Sequence, residues 1–207
     1  MANKIVIVSK FFKGAFLAMT LSALVLASCN KNKDDKPDTS SPAYFIAQSE
    51  SLAIPDAVAL PANPPNGNTR VATFFADGVQ KYKAQVIPGS DPVAFQWVFV
   101  APQADLYDVT NKKVGTHSAG PDWQLSAADS MFGQAFTPAK TAPGGDATSI
   151  DWLLLMPKTG KAPTGVFANV LYVQRIATKG GKAPATPPAT ANDAVDVKYT
   201  AIYRFSK

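Results

Sequence analysis

The stretch Val114-Gly115-Thr116-His117-Ser118-Ala119-Gly120-Pro121-Asp122-Trp123-Gln124 holds the single histidine of a 207-residue chain. An imidazole is the side chain best suited to move a proton near neutral pH, so any acid–base chemistry would centre on His117. Its possible helpers are few. There is no second histidine, and the single cysteine is Cys29, far upstream. Neither a two-histidine nor a cysteine-rich metal site can therefore be built within one chain. The sequence has no G-x-S-x-G elbow, no phosphate-cradling glycine loop and no dinucleotide fingerprint. No metal and no cofactor is expected. Ser118 cannot partner its neighbour if the segment is extended, because adjacent side chains then leave on opposite faces.

Carboxylates offer a second route. Asp105, Asp108, Asp122, Asp129, Asp146 and Asp151 could supply a pair for glycoside hydrolysis, but aspartates are common in turns, where they bond backbone amides. Asp151 differs, because it lies inside Ser149-Ile150-Asp151-Trp152-Leu153-Leu154-Leu155. Burial there would demand a partner such as Arg175 or His117, and a satisfied ion pair is the expected outcome. Of the three tryptophans, Trp97 and Trp152 sit in apolar runs and are expected in the core. Trp123 follows a Gly-Pro turn and is expected near the surface, where its flat face could stack on a sugar ring.

The elements that must position these residues begin after an N-terminal export segment. Lys4, Lys10 and Lys13 precede an apolar run from Ala15 to Leu26, which is too short to span a bilayer comfortably and reads as a signal peptide over residues 1–28. Leu26-Ala27-Ser28-Cys29 resembles the lipobox of bacterial lipoproteins, which implies that Cys29 is acylated and that the membrane is a partner through this anchor. Residues 29–43 are polar and read as a flexible tether. Within them Lys33-Asp34-Asp35 resembles the export signal of surface lipoproteins of the Bacteroidetes, so the expected location is the bacterial outer membrane, with display at the cell surface. Removing the signal leaves 17 basic residues against 15 acidic. No clustered basic face with interleaved aromatics remains, and nucleic acid is not an expected partner.

Residues 44–207 have the length of one domain. Ala194 to Ser206 alternates Val195, Val197, Tyr199, Ala201, Tyr203 and Phe205 with Asp196, Lys198, Thr200, Ile202 and Arg204, which predicts a strand with one buried and one mostly wet face. Residues 166–178 are apolar on both faces and predict a central strand. Arg70 to Ile87 predicts two strands joined by a hairpin at Asp77-Gly78. Residues 94–100 and 150–157 predict further buried strands, each stopped by a proline. No segment shows helical spacing over three turns. The expected class is all-β, a single-domain β-sandwich or partly closed β-barrel, with long Pro/Gly-rich loops at residues 61–68, 138–149 and 180–193.

From about Ile54 to Phe205 the chain resembles a family of secreted bacterial and fungal proteins known as a domain of unknown function. The resemblance rests on Gly78-Val79-Gln80-Lys81-Tyr82, on Trp97 with Pro102, Ala104 and Leu106, and on Val114 to Pro121 with Trp123. It continues through Ile150-Asp151-Trp152-Leu153-Leu154, through Val173-Gln174-Arg175-Ile176 with Thr178, Gly180, Gly181, Ala183 and Pro184, and through Val197 to Tyr203. Relatives commonly carry a cysteine after the Gln-x-Tyr element and another after the Gly-Gly-x-Ala-Pro element. Here Lys83 stands at the first place and the region around Thr190 has none, which implies that this chain lacks a disulfide its relatives form. The resemblance also implies that His117, Asp151, Gln174 and Arg175 converge, as a buried network or as the floor of a pocket with Trp123 beside it. The network is the expected form. The resulting expectation is a lipid-anchored envelope protein serving as a binding or structural module for a carbohydrate or other small ligand. The alternative is a hydrolase of envelope or dietary polymers that uses His117 and an Asp.

Overall fold

Why the sequence closes into a ring rather than an open sheet is visible in its first and last strands. The computed structural model describes residues 36–62 and 69–207. Within it β1 (Arg70–Val86) and β8 (Ala194–Ser206) pair antiparallel from Arg70↔Ser206 to Lys83↔Ala194. Between them β2 (Phe95–Tyr107), β3 (Lys113–Ser118), β4 (Asp122–Gln124), β5 (Ser130–Ala142), β6 (Trp152–Pro157) and β7 (Tyr172–Gly180) each pair with their sequence neighbours. The eight strands close one antiparallel meander, which leaves no free sheet edge along most of its circumference. The all-β expectation holds. The ring is irregular, because its strands run from 3 to 17 residues and bulges interrupt β1–β2, β5–β6 and β7–β8.

Alternation decides what fills it. Tyr199, Ala201, Tyr203 and Phe205 of β8 face inward with Phe74 and Ala76 of β1, Leu106 of β2, Trp123 of β4 and Val173 of β7. The predicted strand in residues 194–206 has the predicted ends, but its other face is not mostly wet: Ile202, Arg204 and Ser206 are also buried. An N-terminal cover accounts for this. Ser41 caps α1 (Pro42–Ser49) by accepting from the Tyr44 N–H at 3.2 Å, and Pro42 occupies the first turn, where its missing N–H costs nothing. Ile46 of this helix packs on Phe75, Ile176 and Ile202. Arg204 Nη2 donates to the Ser49 carbonyl at 2.5 Å and pairs with Glu50 at 3.3 Å. A following 3-10 turn, Asp56–Val58, lays Val58 over Ala142 and Leu154. Helix α1 thus begins inside the stretch expected as tether, and residues 42–58 line the outer wall.

Three local expectations change. Asp77-Gly78 is not a hairpin, for β1 runs straight through it with Gly78 opposite both Ala104 and Tyr199. A Cβ on Gly78 would lie 2.5 Å from Ala104 Cα, so glycine is needed for close strand approach and not for a turn. Pro102 does not stop β2, which continues to Tyr107. It sits just after a bulge at Val100, on a stretch open on the β3 side, where a missing N–H is tolerated. Val166 and Phe167 form a 3-10 turn rather than the start of β7. Of the expected loops, residues 63–68 lie outside the described residues, and residues 138–142 belong to β5.

Candidate functional site

The β3–β4 hairpin places His117 directly opposite Trp123, so the two rings share the inward face. They stack with centroids 4.8 Å apart and planes 13° from parallel, and the Tyr203 ring lies 4.8 Å from the imidazole. Gly133 on β5 makes room for the indole, since a Cβ there would lie 2.8 Å from Trp123 Cζ3. Asp122 closes the turn by accepting from the Ser118 N–H at 3.0 Å and its hydroxyl at 2.5 Å.

His117 Nδ1 lies 2.6 Å from the Asp122 carbonyl oxygen. A carbonyl only accepts, so Nδ1 carries the proton and Nε2 is left as a lone-pair acceptor. No hydrogen bond to Nε2 is formed among the described residues. The side chain is 3% exposed, and burial pushes its pKa down to about 4, assisted by the Arg175 guanidinium and opposed by the Asp122 carbonyl. At neutral pH the ring is an uncharged acceptor.

A cavity of about 350 Å³ opens beside this ring. Its origin is a gap in the wall. β3 and β4 turn back at Ser118 and Asp122, so β2 from Phe95 to Gln103 has no strand on its β3 side. β5 beyond Phe132 likewise has none on its β4 side. Phe99, Pro102, Pro121 and Ala135 frame the resulting window, and Leu153, Leu155 and Trp123 line the apolar interior. The polar lining is His117, Gln80, Arg175 and Tyr203. The lining contains no Asp, Glu, Ser or Thr side chain.

Arg175 reaches the interior from β7, opposite Tyr203 on one side and Leu153 on the other. Its Nε and Nη2 donate to the Asp151 backbone carbonyl at 3.1 and 2.7 Å, and no carboxylate forms an ion pair with it among the described residues. Gln80, Tyr199, Tyr203 and Arg175 form a buried run of polar neighbours, Tyr199 facing Gln80 and Tyr203, and Tyr203 facing Arg175, although Gln80 Nε2 and the two phenol oxygens fall short of good hydrogen-bonding geometry. Burial raises the pKa of both phenols, with the Arg175 charge pulling the other way, so both stay protonated donors.

The residues singled out in the sequence divide accordingly. His117, Trp123 and Arg175 meet in the cavity. Asp151 does not: its side chain is exposed, and it serves Arg175 through its backbone, so the expected ion pair is absent. Gln174 alternates with Arg175 and so faces outward, buried, donating to the Val58 carbonyl at 2.8 Å. Trp123 is fully buried instead of near the surface, whereas Trp97 and Trp152 are only half-buried. Gln80, Tyr203 and Phe99 were not singled out as site residues. For Gln80 the signal was its place two residues after Gly78 on the inward face of β1. Lys83 pairs with Ala194, and the Ala84 N–H donates to the Asp193 carbonyl at 2.8 Å, so backbone bonds join the two segments implied to be disulfide-linked in relatives. No group of three or more His, Cys, Asp or Glu side chains that could hold a metal occurs among the described residues. Cys29 lies outside them.

The arrangement offers one fixed cation, one neutral acceptor, neutral donors and aromatic walls. No curated protein and no solved structure matches the chain. Residues 65–207 match the family described as "Protein of unknown function (DUF3455)", and the chain belongs to that family.

Proposed function

We propose that this protein is a lipid-anchored module of the bacterial outer membrane that captures a small ligand in the cavity beneath the β3–β4 turn. One observation carries the reading. A cavity of about 350 Å³, within the size range of small-molecule sites, carries an imidazole whose Nε2 has no hydrogen-bond partner and a guanidinium with no carboxylate among the described residues. A ligand that donates to the imidazole and carries a negative charge would complete both. Capture is favoured over hydrolysis because the lining offers His117 neither a carboxylate nor a serine or threonine hydroxyl.

A thermal-shift screen of chemically diverse small molecules tests this on the wild type and on Ala135→Trp, which fills the window from an exposed position. Ligands that stabilise the wild type and not the variant are expected. An absence of stabilising ligands, or stabilisation that survives the substitution, would overturn the reading.

A further inference from the structure

The lining of the cavity also specifies a chemical class, an inference that rests on the ligand-capture reading above. Arg175 is the only charged side chain in the lining. Two of its five N–H donors go to the Asp151 carbonyl, and the rest of the fork faces no carboxylate among the described residues. A half-buried guanidinium without an anion is an incomplete site, and its planar fork matches a carboxylate. With one cation and no other charge to balance, the fitting ligand is a monoanion.

The remaining contacts define the body of that ligand. Tyr203 lies beside Arg175 across the β7–β8 ladder, and its ring centroid is 4.8 Å from that of His117. Arg175, Tyr203 and His117 therefore follow one another along the cavity. Phe99, half exposed, adds an open ring face, with Leu153 and Leu155 beside it, against which a flat ring packs better than a puckered one. At the far end, His117 Nε2 accepts from a hydroxyl, since Nδ1 already holds its proton against Asp122. We infer that the cavity takes a small aromatic monocarboxylate bearing a ring hydroxyl, with Arg175 on the carboxylate, His117 Nε2 on the hydroxyl and Phe99, Leu153 and Leu155 around the ring.

Calorimetric titration of the mature chain with four probes tests this: 4-hydroxybenzoate, benzoate, the neutral 4-hydroxybenzamide, and glucuronate as a non-aromatic acid. Saturable binding of 4-hydroxybenzoate is expected, about tenfold tighter than the amide or glucuronate, a difference of about 1.4 kcal/mol. Benzoate is expected to bind several-fold more weakly than 4-hydroxybenzoate. Arg175→Met should abolish the preference for the acid over the amide, and His117→Asn the preference for 4-hydroxybenzoate over benzoate. Equal affinity for acid and amide, tighter binding of glucuronate, or no binding of any probe overturns the inference. The wild-type comparison stands even if a variant fails to fold. Amide binding as tight as that of the acid, and lost in Ala135→Trp, would refute the carboxylate assignment while leaving ligand capture intact, whereas a failed screen removes both.

Discussion

Acidification from pH 7 to pH 5 should weaken the fold through one side chain. His117 is the sole histidine, and its pKa falls from the ordinary 6.5 to about 4 in the folded chain, chiefly because it is buried. The unfolded chain therefore binds the proton more readily, and stability rises with pH between about 4 and 6.5. The contribution is fully present above the unfolded value and is lost progressively as pH falls towards 4. With these two values the loss between pH 7 and pH 5 is about 2 kcal/mol, which lowers the melting temperature by roughly 4–8 °C in a domain of this size. Circular-dichroism melts of the wild type and of His117→Asn at both pH values measure it. Asparagine keeps a donor for the Asp122 carbonyl but cannot titrate, so its melting temperature should shift much less. The carboxylates with lowered pKa, such as Asp146 at about 2, weaken the fold only at lower pH and act alike in both proteins. Equal losses in the two would refute the tautomer and burial argument for His117.

Other substitutions probe the supports of the site. Gly133→Ala should cost about 1–3 kcal/mol by displacing the Trp123 indole, read from urea denaturation. Gln174→Leu should cost about 1–3 kcal/mol by leaving the buried Val58 carbonyl unpaired, and should leave probe affinity unchanged because Gln174 faces away from the cavity. Cys29→Ser should move the protein from the membrane fraction to the soluble fraction, and retention in the membrane would refute the anchor.

Strand parity was the most legible feature of the sequence. In β8 it placed Tyr199, Tyr203 and Phe205 inside correctly, because alternation is a local property of extended chain. It failed on Ile202 and Arg204, whose cover comes from Ile46 and Ser49, more than 150 residues away in sequence. No local pattern carries that contact. Asp77-Gly78 has the composition of a turn, yet tertiary crowding by Ala104 and Tyr199 uses the glycine differently. At the site, the sequence brought out His117 and Arg175 but paired Arg175 with the wrong part of Asp151, since residue type cannot reveal that a backbone carbonyl is the acceptor. Trp123 was expected near the surface because it follows a Gly-Pro turn, but its register opposite His117 turns it inward. The window itself comes from the shortness of β3 and β4 relative to β2 and β5, a difference in strand length that the composition does not encode.

The central claim is that the ring interior receives a ligand through the β2–β5 window. Its most direct test is heteronuclear NMR of the domain titrated with a compound from the thermal-shift screen. The predicted result is a set of shift changes confined to residues around the cavity, with His117 Nε2, the Trp123 indole and the Ala135 amide among them, and their loss in Ala135→Trp. Shift changes scattered over the outer surface, with His117 and Trp123 unmoved, would contradict it.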